Sequence, residues 1–183
     1  SSYSSPALIN HNGRELILQM IQSSVVAIDP QNGKFVWSHP HKTDWDVNPN
    51  TPIYHDGHVL SYSGYGTGGQ LLKLSSDGSS VSQVWKNEAI DSQIGAAVLV
   101  DGTIYASGHK NRGWHAVDWQ TGETTYSDRA FRKGPVIAAD DKLIVYSEGG
   151  ECALVNANPE KFDIISQFEI TMGSNQHWAH PIV

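Results

Sequence analysis

The chain has 183 residues with a formal net charge of -7, and apolar residues make up 39% of it. This composition is typical of a globular protein and excludes intrinsic disorder. The acidic balance, which no local Lys/Arg cluster offsets, argues against a nucleic-acid partner. No stretch approaches the ~20 consecutive apolar residues of a membrane-spanning helix, so no membrane span is expected.

The ends of the chain and its cysteine content limit the alternatives further. The sequence starts at Ser1 with neither a Met nor a signal peptide, so we expect a mature or excised segment. Cys152 is the only cysteine, which excludes an internal disulfide and any metal site built from several cysteines.

Four units with the same internal order follow one another along the chain. The predicted strand runs are 5–9, 16–18 and 25–29 in the first unit, 51–54, 59–62 and 71–74 in the second, 96–99, 103–105 and 114–118 in the third, and 134–137, 143–146 and 152–156 in the fourth. Gly, Asp, Asn and Pro separate these β-branched and aromatic runs, which favours strands and turns over helices. Each unit closes on an aromatic residue: Trp37, Trp85, Tyr126 and Phe168 are separated by 48, 41 and 42 residues.

Four short strands in about 40–45 residues predict one blade of a β-propeller. The predicted blades cover about 1–38, 47–86, 94–127 and 134–170 of a single propeller segment, 1–183, and residues 177–183 would form the first strand of a further blade. One small sheet cannot bury both of its faces, so the blades must stack on one another. We expect Trp37, Trp85, Tyr126 and Phe168 to fill the gaps between neighbouring blades.

The motif Val26-Ala27-Ile28-Asp29-x-x-x-Gly33-Lys34-x-x-Trp37, which residues 115–123 repeat closely, resembles the tryptophan-docking repeat of quinoprotein-type, PQQ-like β-propellers. The chain is most similar to polyvinyl-alcohol-dehydrogenase-like or PQQ-binding-like repeat proteins of bacteria. The resemblance implies an all-β propeller with four four-stranded blades plus one strand of a fifth, in a periplasmic or extracellular location. Propellers of this type usually carry seven or eight blades. Three alternatives therefore remain open: a piece of a longer protein, two copies that associate to complete one propeller, or an open arc with exposed edge strands.

The connections predict which face of the propeller carries a site. Turns between first and second and between third and fourth strands are short, whereas second-to-third connections and blade crossings are longer and richer in polar and aromatic residues. The longer segments are 39–46, the Gly run around Tyr65, 109–112, 129–133, 148–151 and 175–178. We therefore expect any ligand to bind on the face that these segments form.

The candidate ligand-binding residues on that face are Lys133, Glu148, His177, Trp178, His180, Arg132 and Trp45. Lys133 and Glu148 would lie at the rim of the central channel, where they could bind a polar ligand, hold calcium through Glu148, or only form a rim ion pair. His177, Trp178 and His180 would form a binding edge, with ordinary packing as the alternative. No metal site is expected; His39 and His41 beside Asp44 are weak candidates for zinc or calcium.

Two function classes follow from these residues and from the resemblance. The first is a non-catalytic binding or scaffold module without a cofactor, which recognises a protein, peptide or carbohydrate. The second is part of a PQQ-dependent alcohol dehydrogenase, in which a calcium-polarised quinone accepts hydride. The resemblance implies that such a quinone packs on a disulfide of adjacent cysteines, and the sequence has only Cys152. No catalytic residue is assigned, and a glycosidase-like hydrolase would need two facing carboxylates.

Overall fold

The computed structural model describes residues 3–95, 97–173 and 175–183, and its regular structure is almost entirely β-strand. The predicted start of the third unit at Ala96 lies outside the described residues. The strands are β1 (Ala7–His11), β2 (Arg14–Ile21), β3 (Ser24–Ile28), β4 (Phe35–Pro40), β5 (Ile53–His55), β6 (His58–Ser63), β7 (Gly68–Leu74), β8 (Val81–Asn87), β9 (Val98–Val100), β10 (Thr103–Gly108), β11 (Gly113–Asp118), β12 (Thr124–Asp128), β13 (Val136–Ala139), β14 (Lys142–Tyr146), β15 (Glu151–Asn156) and β16 (Asp163–Glu169).

These strands form four four-stranded antiparallel sheets, β1–β4, β5–β8, β9–β12 and β13–β16, each with its strands in chain order. The predicted all-β architecture of four propeller blades is therefore confirmed, and the sheets are called blades 1 to 4 below. Besides the strands, the described residues contain one short 3-10 turn, Asp44–Asp46. None of the described helical segments has the length and apolar character that crossing a membrane requires.

Tight turns close the first hairpin of each blade. Asn12-Gly13, Asp56-Gly57 and Asp101-Gly102 all have positive φ angles, from 43° at Asp56 to 85° at Gly13. Two positive φ angles in succession give the turn whose twist matches that of antiparallel strands, and Asn-Gly and Asp-Gly tolerate them best. These turns fix the pairing register, which sets the side chains that face the neighbouring blade.

The hydrophobic core consists of three clusters, each shared by two successive blades. Leu16, Leu18 and Met20 of blade 1 pack with Leu72 and Leu74 of blade 2. The second cluster joins blades 2 and 3 through residues such as Leu60, Leu71, Ile104 and Val117, and the third joins blades 3 and 4 through residues such as Tyr105, Trp114, Leu143 and Val155. Each blade is thus stabilised by its neighbour, as expected for stacked repeats.

A β-bulge between the third and fourth strands marks one equivalent position in every blade. The fourth-strand residue beside the bulge is Trp37 opposite Ala27, Trp85 opposite Leu71, Tyr126 opposite Ala116 and Ser166 opposite Leu154. Trp37 and Trp85 are buried in the clusters with the next blade, and Tyr126 is half-buried against the third cluster.

Phe168 does not fill a gap between blades, because its side chain is 63% exposed. It lies two residues beyond the position beside the bulge, which Ser166 occupies. The expectation for Phe168 therefore needs correction. Spacing along the sequence counts the extra residues of a loop or bulge, whereas pairing in the sheet does not, so the repeat identified the wrong residue in blade 4.

The indoles of Trp37 and Trp85 differ in their hydrogen bonding. Trp85 Nε1 donates to the Trp119 carbonyl at 2.9 Å, just beyond the third strand of blade 3. At the corresponding place in blade 2, the Ser75 carbonyl bonds His11 Nε2 at 2.9 Å, and Trp37 Nε1 is buried without a hydrogen-bond partner among the described residues. A buried unpaired donor loses hydration without compensation, so we infer that the junction of blades 1 and 2 depends more on apolar packing.

Second-to-third strand connections and blade crossings lie together at one end of the sheets, which we call the loop face. It includes the connections 64–67, 109–112 and 147–150, the crossings 41–52 and 129–135, and residues 88–95 and 97 of the crossing between blades 2 and 3. The structure assigns no strand to residues 177–183, so the opening strand of a further blade stays a prediction.

Candidate binding cleft on the loop face

A cleft of about 530 Å³ lies on the loop face between blades 3 and 4. Its lining residues are Gly108, His109, Arg112, Gly113, Arg129, Phe131, Arg132, Lys133 and Glu148. They come from the β10–β11 connection, the crossing from β12 to β13 and the β14–β15 connection. The structure thus brings together three of the predicted ligand-binding residues, Arg132, Lys133 and Glu148, on the face where a site was expected.

Lys133 is held in place by two side chains from different blades. Its ammonium group lies 3.3 Å from a carboxylate oxygen of Glu148 and donates to the amide oxygen of Gln93 at 3.0 Å. Gln93 in turn donates to the Tyr65 hydroxyl at 3.0 Å. The Glu148 backbone N–H also donates to the Lys133 carbonyl at 2.9 Å. The rim ion pair is therefore part of a network that crosses blades 2, 3 and 4.

The cleft contains three of the four arginines of the chain: Arg112, Arg129 and Arg132. Within the part of the chain that the structure describes, no hydrogen bond or ion pair engages their guanidinium groups. The Arg132 guanidinium lies close to Gly149, where a Cβ would stand 2.7 Å from its Nη1 atom. The cluster is formed in space, because the loops bring together arginines that the sequence separates.

The positive charge of the cleft comes from Arg and Lys and not from His109. Burial, and after it the neighbouring Lys133, hold the pKa of His109 below its ordinary value of 6.5. The Tyr65 backbone N–H donates to His109 Nδ1 at 3.1 Å, which requires this nitrogen to be unprotonated. His109 is therefore neutral at neutral pH and positions the Tyr65 loop.

Asp91 joins two loops of the loop face from a fully buried position. Its Oδ1 accepts from the Gly66 backbone N–H at 2.6 Å, and its Oδ2 accepts from the N–H groups of Lys110 at 2.6 Å and Asn111 at 3.2 Å. A carboxylate that accepts several N–H bonds acts as a rigid link between the segments. Asp91 therefore positions the loop that carries His109 and Arg112.

We expect Asp91→Ala to loosen this loop without unfolding the blades. Removal of the carboxylate leaves the Lys110 and Asn111 amides without acceptors, and a hydrogen bond to a charged group contributes about 1.5–3 kcal/mol. Amide hydrogen exchange at these two positions should accelerate at least about tenfold. Asp118→Ala, which removes an acceptor for Gln120 and Thr121 at the opposite face, should leave both rates unchanged. Unchanged protection in Asp91→Ala would contradict this role.

The other predicted ligand-binding residues lie outside the cleft. Trp45 is 83% exposed in the crossing from blade 1 to blade 2, and Trp178 is 51% exposed. His177 bonds the Tyr146 hydroxyl through Nδ1, and its backbone N–H donates to the Glu148 carbonyl at 3.1 Å. His180 lies against the first strands of blades 2, 3 and 4, near Ile53, Val98 and Ile137. The residues of the predicted binding edge are thus separated: His180 lies at the first strands of the blades, whereas His177 contacts Tyr146 of blade 4 and Trp178 is exposed.

The weak metal candidates are not gathered into a site. His41 is buried, whereas Asp44 is exposed and lies 3.5 Å from the ammonium group of Lys110. His39 Nδ1 is 3.3 Å from the Gln70 side-chain nitrogen. Among residues 3–95, 97–173 and 175–183, no group of three or more His, Cys, Asp or Glu side chains could hold a metal ion.

The candidate residues predicted from the sequence do not include Arg112, Arg129 or Asp91, although the segments 109–112 and 129–133 are predicted on the loop face. The arginines had a detectable signal, because three of four fall between positions 112 and 132 of an acidic chain. Asp91 had none, since a carboxylate that binds backbone N–H groups of distant loops leaves no local pattern.

A family model described as outer membrane protein assembly factor BamB matches residues 21–158. No curated protein matches the sequence. Among solved structures, BamB from Moraxella catarrhalis superposes with a TM-score of 0.66 at 16% identity, over 92% of this chain and 50% of that one. The chain therefore spans half the length of that protein.

Two further solved structures share the fold. Quinohemoprotein alcohol dehydrogenase from Comamonas testosteroni gives a TM-score of 0.68 at 15% identity, over 96% of this chain and 36% of that one. The computationally designed Ika4 protein gives a TM-score of 0.61 at 14% identity, over 86% of this chain and 94% of that one. At these identities the likeness extends to the fold alone.

Proposed function

The chain belongs to the family described as outer membrane protein assembly factor BamB, and from this premise we propose that it is a non-catalytic binding and scaffold module. It acts outside the cytoplasm and holds a protein partner against its loop face. The family description supports a role in outer membrane protein assembly. The observation that carries the proposal is the exposed Trp45 indole on the same face of the blades as a cleft lined by three arginines.

The two faces differ in what they offer a partner. The loop face presents the indole of Trp45, the ion pair of Asp44 with Lys110, and the arginine-lined cleft. Exposed Trp and Arg are the residue types that contribute most to protein interfaces. The opposite face consists of tight two-residue turns and short loops such as 119–123. The loop face therefore offers a protein partner both an apolar anchor and charge.

The described residues do not fit a calcium-dependent quinone site. Calcium takes six to eight oxygen ligands, and Glu148, the only carboxylate that lines the cleft, is engaged by Lys133. Cys152 is half-buried, burial raises the pKa of its thiol, and the chain has no second cysteine for a disulfide under the quinone.

Site-specific photocrosslinking in the source cell tests the proposal. A photoreactive amino acid replaces Trp45 on the loop face or, as the matched control, the exposed Gln120 in the β11–β12 turn. We expect position 45, and not position 120, to crosslink to a protein that takes part in outer membrane protein assembly.

The enzyme alternative is tested on the purified chain with added PQQ and calcium. A binding module should lose quinone absorbance on desalting and show no dye-linked alcohol oxidation. Retained absorbance with alcohol oxidation, or equal crosslinking from both positions, would contradict the scaffold function.

A further inference from the structure

We propose that the cleft between blades 3 and 4 binds a carboxylate-rich, extended segment of a protein partner. The inference rests on the proposed function, because it names the chemistry by which the loop face would recognise its partner. It starts from the three guanidinium groups of Arg112, Arg129 and Arg132, which surround one cleft in a chain of net charge -7.

The cations of the cleft have few internal partners. Lys133 is paired with Glu148, and the three guanidinium groups engage no carboxylate among the described residues. Four cations around one carboxylate leave a local excess of positive charge. This excess attracts anions to the cleft, whereas the acidic remainder of the chain repels them.

The chemistry of the cations selects the kind of anion. Guanidinium groups present planar forks of N–H donors that match the two oxygens of a carboxylate. Phe131, which is buried and lines the cleft, adds an apolar surface beside the charges. A volume of about 530 Å³ accommodates a few side chains, so the occupant is a short stretch of chain with several Asp or Glu residues.

Access and rigidity also favour an extended segment. The guanidinium-bearing side chains of all three arginines are exposed, whereas their loops are held by buried contacts: Asp91 holds the Arg112 loop, and Trp114 Nε1 donates to the Arg132 carbonyl at 2.9 Å. Loops fixed before binding lose little conformational entropy when a ligand arrives. The partner segment is thus ordered on a preformed surface.

The test measures binding of a fluorescein-labelled 12-residue peptide of alternating Asp and Ser by fluorescence anisotropy. Its control is the same peptide with Asn in place of Asp. We expect Arg129→Gln/Arg132→Gln to weaken binding of the acidic peptide at least about tenfold. The matched control Lys34→Gln/Lys73→Gln removes the same charge at exposed positions outside the cleft and should change affinity less than about twofold.

A second variant changes affinity in the opposite direction. Glu148→Gln removes the one negative charge of the cleft and should tighten binding of the acidic peptide about threefold or more, whereas Glu123→Gln in the opposite-face turn should not. Three results would overturn the inference. The two double variants could lose equal affinity for the acidic peptide, or the Asn peptide could bind as tightly as the Asp peptide. Equimolar inorganic phosphate could also displace the acidic peptide completely. Crosslinking from position 45 that persists in Arg129→Gln/Arg132→Gln would then show that the scaffold function stands without this ligand.

Discussion

Trp85→Ala is expected to destabilise the chain by about 3–5 kcal/mol, the range for loss of a buried large aromatic side chain. Trp85 is 9% exposed, and its indole fills the junction of blades 2 and 3. The substitution removes the apolar contacts with blade 3 and the hydrogen bond from Nε1 to the Trp119 carbonyl. Urea denaturation monitored by circular dichroism measures the change in the free energy of unfolding.

Phe168→Ala is the matched control, because Phe168 is exposed on the outer strand of blade 4. Its truncation should change the free energy of unfolding by less than about 0.5 kcal/mol. Similar losses in Trp85→Ala and Phe168→Ala would show that the position beside the bulge has no special role.

A substitution at Gly122 tests directly whether the Trp85 indole packs against blade 3. A Cβ at Gly122 would stand 2.6 Å from the Trp85 ring, and Gly122 has a φ angle of +74°. Gly122→Ala should therefore combine a steric clash with a backbone cost of about 1–2 kcal/mol. In the Trp85→Ala background only the backbone cost should remain, so the two substitutions should be clearly non-additive.

The second large effect concerns acid sensitivity. His41 is 5% exposed in the crossing between blades 1 and 2, and burial, followed by the charges of Lys86 and His39, lowers its pKa to about 4. The unfolded chain binds a proton at this residue below its ordinary pKa of 6.5, whereas the folded chain resists it. The stability contribution of neutral His41 is therefore complete above pH 6.5, declines as the pH falls, and is lost near pH 4.

The expected size of this contribution is about 3 kcal/mol, from a pKa difference of 2.5 at about 1.4 kcal/mol for each pH unit. Unfolding free energies of the wild type and of His41→Leu between pH 7 and pH 4 measure it as a difference in slope. His109 and His115, whose pKa values are also lowered by burial, contribute with the same sign in both proteins. Carboxylates with lowered pKa, such as Asp118 and Asp163, act below 3.8 and so outside this range.

Ser61→Ala serves as the control for His41, because it removes the hydroxyl 3.4 Å from Nδ1 and keeps the imidazole. It should retain the wild-type dependence on pH. A His41→Leu profile parallel to the wild type would show that the pH dependence arises elsewhere.

The architecture could be predicted from the sequence because it depends on repetition. Runs of apolar residues recur with Asp-Gly turns between them, and the same pattern specifies the same sheet each time. The loop face follows from the composition of its segments, which predicts Lys133 and Glu148 at one rim, and the structure places their charged groups 3.3 Å apart. These features depend on residues that are close in the sequence or that recur in the same order in every repeat.

Other features depend on pairing and packing that no linear pattern reports. The bulge opposite Leu154 places Ser166, not Phe168, at the junction position. The Arg112 and Arg129 side chains line one cleft because the β10–β11 connection and the crossing from β12 to β13 converge there. Burial of His41 likewise depends on how the crossing 41–52 lies over β6, where the Ser61 hydroxyl is 3.4 Å from its Nδ1.

The serine beside the bulge of blade 4 has a mechanical consequence. Three successive sheets carry Trp37, Trp85 or Tyr126 at this position, whereas β16 carries Ser166 and leaves Ile164, Ile165 and Phe168 at least 39% exposed. A serine at this position offers far less contact area than an indole. Under a stretching force, β16 would therefore interlock less firmly with a neighbouring sheet than β4 and β8 do through Trp37 and Trp85.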